Sequence, residues 1–407
     1  MGKYWFTLKP DTFLWIKHGK GLVYNAGNSR QQLFDLSEKT DAICLDLQAV
    51  ENLYSVELTE NDMQDAEIRT WTDAVLNMDA GYLTDAIKGM QKPVSLKPIL
   101  KVQDGVEYYV WKHKRNIGGD IINHLHELTF YINGSNYGNN EYYKQCLFPL
   151  FSTCHLDIDT IRLCILNSRN PFLSKINFAG NFFDYTAPQQ LMDVVEEFRI
   201  PGSVHILLQD FALHADKLKN FRWPECIRFN IIVDHGIDGQ LPPLQDSPFP
   251  VSVTAIVADR NEYEALAGLM EKMPVYRDAS FIPIYNGRNM DFFKDNVFAD
   301  PEDLANIHLN RREIFMHQIL NTSNFGKLTV IPDGTVYANV NRPPLGTVKD
   351  TVYSLIYKEF TEGTSWFRVR NTHPCTECLY QWLCPSPSNY ETVTGYSNLC
   401  HYNPSIL

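Results

Sequence analysis

The chain has no stretch approaching the roughly eighteen to twenty consecutive apolar residues that a membrane span requires. No apolar segment follows Met1-Gly2-Lys3-Tyr4-Trp5-Phe6, so a secretory signal is not expected. Phe6 stands where an acylation motif starting at Gly2 needs Ser or Thr. The expectation is a cytoplasmic protein without a membrane partner. Positive charge is also scarce: 36 Lys and Arg against 48 Asp and Glu leave a net charge of −12, with no Lys/Arg-rich block. A nucleic-acid partner is disfavoured, because phosphate binding wants a basic surface. Walker A, G-x-S-x-G, HExxH and dinucleotide-binding fingerprints are all missing.

What is present fits two or three domains in 407 residues. The first, over residues 1–95, opens with the runs Phe13–Lys17 and Gly21–Asn25 around His18-Gly19-Lys20, a hairpin signal. A third run, Gln32–Leu36, ends at Ser37, a fair N-cap for a helix through Ala42, Leu45 and Val50. Thr59 and Asp62 form a capping-box-like pair opening a longer helix with Trp71 and Val75. Strands followed by helices predict a small winged-helix-like module. Residues 96–123 read as a hairpin linker, with Gln103-Asp104-Gly105 as its turn.

From 124 to 300, apolar strands alternate with helical stretches. The predicted strands are 128–132, 161–166, 176–179, 204–208, 227–233, 251–257 and 281–285, and the clearest helices are 188–198 and 261–272. Such alternation implies parallel strands with helical crossovers. The span is too short for a full eight-unit barrel of about 250 residues, so a partial (β/α)6 TIM-like barrel is expected. Cys164, inside Ile161–Leu166, reads as a core strand residue, and His205 as a satisfied core histidine. Asp234-His235-Gly236 reads as a polar strand end.

Nine cysteines in such a chain point to buried, metal-binding or redox-active thiols rather than disulfides. Five are scattered, and four crowd the end. Cys375 and Cys378 are three apart, Cys384 follows after five residues, and Cys400 after fifteen more. Four thiolates suit tetrahedral zinc or a [4Fe–4S] cluster, and spacing alone leaves both open. Cys384-Pro385 is mildly suggestive of the cluster. His373 and His401, beside the thiols, are candidates to hydrogen-bond their sulfurs.

The run Asn324–Tyr337, with Pro332-Asp333-Gly334 at its turn, resembles the hairpin of the SPASM domain, the cluster-bearing extension of radical SAM peptide maturases. Pro344–Val348 and the four cysteines follow in that family's order. The resemblance implies that Cys375, Cys378, Cys384 and Cys400 hold one auxiliary [4Fe–4S] cluster, over a C-terminal domain of residues 301–407. In that family these four ligands hold the second auxiliary cluster; the first is not expected here, because no cysteine lies between 227 and 374 and Ser388 stands where one of its ligands would be.

The α/β region looks like a radical SAM barrel stripped of its chemistry. The loop after its first strand, Gly134–Asn140, lacks the CxxxCxxC triad, and Cys146 arrives late and alone. The Gly-Gly-Glu signature appears as Ala179-Gly180-Asn181, without its carboxylate. The combination resembles the pseudo-radical-SAM family of the GG-Bacteroidales peptide-modification systems. It implies a protein without S-adenosylmethionine or catalytic residues, which binds a precursor peptide, a partner radical SAM maturase, or both. The alternatives are an iron–sulfur electron carrier for that maturase, and an active peptide-modifying enzyme. The N-terminal module then resembles a leader-peptide-binding domain, with Phe13, Trp15, Leu33, Phe34 and Leu36 as its candidate peptide contacts.

Overall fold

The computed structural model describes residues 2–87, 90–96, 119–214, 217, 221–234, 250–272, 276, 278–363 and 365–402. The hairpin expected at 99–111, and His235 and Gly236, lie outside them. None of the described helices is long and apolar enough to cross a membrane.

The N-terminal region holds two three-stranded antiparallel sheets. β1 (Lys3–Leu8) lies between β5 (Ser55–Thr59) and β6 (Gly81–Asp85). β2 (Thr12–Lys17), β3 (Lys20–Asn25) and β4 (Arg30–Asp35) form the second sheet as a meander. The hairpin at His18-Gly19 is as expected, whereas β1, β5 and β6 carry no turn signal and add a sheet that the sequence pattern does not suggest.

Ser37 caps α1 (Glu38–Gln48) with a full capping box, as expected, although the helix stops before Val50. Thr59 and Asp62 form their box too, but it opens only the short α2 (Glu60–Gln64). The longer α3 (Ala66–Asn77) is capped by Asp65, whose side chain accepts from the amides of Glu67 and Ile68. Phe6, Leu14, Val23, Leu47, Leu58 and Trp71 fill the core between the sheets and helices.

The central region is a mixed α/β layer built on one large, mainly parallel sheet. Its strands are β7 (Glu127–Tyr131), β8 (Lys175–Ala179), β9 (Gly202–Leu207), β10 (Ile227–Val233), β11 (Val251–Val257) and β12 (Ser280–Pro283). All six run parallel and sit in chain order. Between and after them come α4 (Ile158–Ser168), α5 (Pro188–Phe198), α6 (Leu208–His214), α7 (Arg260–Met270) and α8 (Met290–Val297).

One expected strand is corrected. Residues 161–166 belong to α4, capped by Asp157, with Ile161 and Ile165 buried one turn apart. Cys164 therefore sits half-buried on a helix rather than in a strand. An apolar run of six residues fits either structure, and here the cap and the i, i+4 burial decide.

The C-terminal third adds α9 (Pro301–Ala305), α10 (Arg311–Ile319), β13 (Lys327–Val330), β14 (Thr335–Tyr337), β15 (Gly346–Thr347), α11 (Val352–Glu362) and α12 (Asn389–Thr394). The expected hairpin is β13–β14. It also joins the central sheet, because β13 pairs in parallel with β7 and brings the sheet to nine strands.

Alternation along the parallel strands sorts side chains cleanly. Phe130, Phe178, Ile206, Phe229, Ile231 and Ala255 join the core under α4, α5, α7 and α11. Their neighbours Tyr131, Ala179, Leu207, Ile232 and Ile256 face the other way.

Candidate functional site

The four C-terminal cysteines come together. Cys375 opens a 3-10 turn, and the amide of Cys378 donates back to its carbonyl. A second turn places Cys384, whose amide donates to the Tyr380 carbonyl. Cys400 returns through a parallel bridge to Ala299. All nine cysteines are free thiols. Cys375, Cys378, Cys384 and Cys400 line one cavity of about 240 Å³, with Val297, Leu304 and Leu399 among its apolar walls.

That space is several times the roughly 30 Å³ that a water molecule occupies. Among the described residues, no group of three or more His, Cys, Asp or Glu side chains is placed to hold a metal ion.

Burial pushes the Cys378 thiol up to about 11 and Cys384 to about 12, and raises Cys400 as well. Lys17 opposes the rise at Cys378, and Arg370 opposes it at Cys384 and Cys400. Without a cation these three thiols stay protonated, so metal binding there releases protons.

Arg370 is the buried cation of the site. Its Nε donates to the Pro385 carbonyl, Nη2 donates to Glu391 Oε1 at 3.0 Å, and Nη1 lies 4.0 Å from Cys375 Sγ. Burial works against its charge, and Glu391 with Cys384 and Cys375 outweighs that cost. Glu391 is fixed in turn by accepting from the amide and hydroxyl of Ser388. The amide of Tyr402 donates to Cys400 Sγ at 3.2 Å. His401 turns away from the thiols, with its Nε2 3.1 Å from the Lys294 carbonyl. Arg370, Glu391 and Gln381 escape sequence reasoning, since single polar residues in an irregular tail carry no pattern.

The N-terminal meander packs onto this module. Phe13, Leu22 and Tyr24 share a core with Ile314, Cys378, Leu379, Tyr380 and Leu383. Phe13 meets Phe315 edge-on at 5.5 Å and stacks on Trp15 at 5.5 Å. The Tyr24 hydroxyl donates to the Leu309 carbonyl at 2.8 Å, and Gln31 Nε2 donates to the carbonyls of Leu304 and Ala305.

The five candidate peptide contacts are thus spread over different surroundings. Phe13 and Trp15 are already engaged by the C-terminal module. Phe34 and Leu36 pack against the N-terminal core, Phe34 lying near Trp71. Leu33 alone is well exposed, at 40%, on the edge strand β4.

At the C-terminal ends of the parallel strands, the segment that follows the loop Gly134–Asn140 packs inward. Phe148 is fully buried against Leu207, Ile232, Ile256, Ala258 and Ile284. Leu150 packs on Tyr131 and Ala179. Cys146 is half-buried beside them; its sulfur lies 3.8 Å from the Tyr142 carbonyl, and burial pushes its thiol up to about 12.

Asn181, which the resemblance sets where a carboxylate is expected, is hydrogen-bonded within the protein. Its Nδ2 donates to Asp210 at 3.0 Å and to Asp184 at 2.9 Å, and its Oδ1 accepts from the amides of Phe183 and Asp184. Ser135 donates to the other oxygen of Asp210, and burial holds that carboxyl above its usual range. Deeper in the sheet, His205 Nδ1 is 3.0 Å from Asn230 Nδ2, while its buried Nε2 has no partner among the described residues. The expectation of a satisfied histidine is met at one ring nitrogen only.

The chain matches no family model and no curated protein sequence. Among solved structures it is similar to Streptococcus suis SuiB bound to the precursor peptide SuiA, at 11% identity and a TM-score of 0.42, over 99% of this chain and 100% of that one. SuiB bound to S-adenosylmethionine gives 10% identity and 0.38, over 93% and 94% of the two chains. Native anSMEcpe with bound AdoMet and Kp18Cys peptide gives 12% and 0.38, over 67% of this chain and 96% of that one. All three scores lie below 0.5, so the likeness is distant.

Proposed function

We propose that this chain is a non-catalytic accessory protein of a ribosomal peptide-maturation system, carrying one [4Fe–4S] cluster on Cys375, Cys378, Cys384 and Cys400. The observation that carries the reading is the pairing of a roomy four-thiol cavity with a sheet mouth closed by Phe148. Four thiols lining one cavity match the donor set of a [4Fe–4S] cluster. At the mouth, apolar side chains and one half-buried thiol, Cys146, stand where the resemblance would require three thiolates for a catalytic cluster.

The degenerate radical SAM barrel of residues 124–300 then serves as scaffold, and the SPASM-like module of residues 301–407 as a cluster-bearing cap. The winged-helix-like residues 1–95 offer β4 as an open edge, to which an extended precursor peptide adds as a strand beside Leu33. The partner is a radical SAM maturase that performs the chemistry in the cytoplasm.

Anaerobic purification with metal analysis is the test, combined with a S-adenosylmethionine cleavage assay. About four irons per chain and no cleavage are expected. One zinc per chain removes the cluster, and cleavage by the chain alone removes the non-catalytic role.

A further inference from the structure

We propose that Arg370 is the charge partner of the thiolate centre, a positioning residue that favours its more reduced, more negative state. The inference rests on the thiolate-centre reading above. The counter-charge role holds for either metal, since four thiolates around a [4Fe–4S]2+ core or around Zn2+ leave a net double negative charge; the effect on reduction belongs to the cluster alone.

A buried anion of that size needs a fixed counter-charge, because desolvation otherwise opposes it. Arg370 is placed for this. Its side chain is only 10% exposed, and each of its three nitrogens has a separate neighbour. Nε is held by the Pro385 carbonyl and Nη2 by Glu391, which turns Nη1 toward Cys375 Sγ.

The Arg370–Glu391 pair is therefore an oriented dipole with its positive end at the sulfurs. The Arg370 carbonyl accepts from Gln381 Nε2 at 2.6 Å, which fixes the backbone behind it. Gln381 itself lines the cavity. Groups that donate to cluster sulfurs, or place positive charge beside them, stabilise the reduced form and raise the potential.

The experiment is a dithionite titration of the purified full chain, followed by electron paramagnetic resonance, on wild type, Arg370→Gln, Arg370→Lys and Glu391→Gln, with iron content measured on each. Arg370→Gln is expected to move the midpoint potential negative, Glu391→Gln positive, and Arg370→Lys to lie between Arg370→Gln and wild type. Opposite shifts distinguish charge from loosening, which would move both variants the same way. Unchanged midpoints at full iron content, or shifts in one direction only, overturn the proposal.

If wild type holds zinc, the cluster reading fails separately and Arg370 is tested by zinc loss to a chelator. Arg370→Gln is then expected to bind zinc about ten- to a hundredfold more weakly. Equal affinities overturn it.

Discussion

Lys17 and Gln381 meet at 2.8 Å, where the N-terminal sheet rests on the cysteine-rich module. The same ammonium donates to the Thr376 carbonyl, inside the turn that presents Cys375 and Cys378. Burial works against its charge, and Cys378, Glu377 and Cys375 act to keep it. The first strands of the chain and its cysteine-rich end are thus parts of one structure.

Cys378→Ala should therefore release the metal and disturb more than the tail. Faster hydrogen exchange is expected in β2 and β3, because Phe13, Leu22 and Tyr24 pack against this module. Exchange mass spectrometry reads it directly. Unchanged protection over residues 12–25 in a metal-free variant would separate the two regions.

Phe148→Ala should destabilise the chain by about 3–5 kcal/mol, the range for deleting a buried aromatic ring. Urea denaturation measures the loss. On the non-catalytic reading proposed above, the variant should not cleave S-adenosylmethionine either, since opening the mouth supplies no thiolates. A loss below 1 kcal/mol would mean that the loop does not close the sheet.

His205 gives a pH signature. Burial pulls its imidazole down to about 3, with Lys175 adding to the effect. The folded state thus keeps it neutral, while the unfolded chain binds a proton below about 6.5. Stability from this group is present above that value and is lost as pH falls toward 3. By pH 5 the loss is about 2 kcal/mol. His205→Gln should lack that component, so the gap between wild-type and variant urea midpoints should change between pH 7.5 and 5. Parallel curves would refute the assignment.

Leu33→Asp tests the open edge. Leu33 is largely outside the core, so the fold should survive, with a stability change within about 0.5 kcal/mol. If the proposed precursor peptide adds at this edge, its binding should weaken about tenfold or more, from the loss of one buried leucine contact. Fluorescence anisotropy decides, and undiminished binding moves the peptide elsewhere.

Much of this architecture was legible because it rests on local signals. The capping box at Ser37, the His18-Gly19 turn and the alternation of strands 176–179, 227–233 and 251–257 each reflect short-range chemistry. The cysteine spacing likewise marked four residues that line one cavity. What stayed hidden depends on long-range packing. Nothing in Phe13 or Trp15 says that their face is covered by residues more than three hundred positions later. Arg370 has meaning only once Glu391 and Cys375 surround it. The run 161–166 misled because burial on one side looks alike in a short strand and a helix.

The pairing of β13 with β7 also bears on how the chain is made. Glu127 and Lys327 are register partners, yet about two hundred residues separate them. At ordinary elongation speeds of about 5–20 residues per second, the ribosome needs roughly 10–40 s to cover that distance. Throughout that interval one side of β7 has no neighbour and offers bare amides and carbonyls to other nascent chains. A fragment ending near residue 300 would carry this exposure permanently. Its insolubility, beside a soluble full-length chain, would be the mark of a fold completed only by its last third.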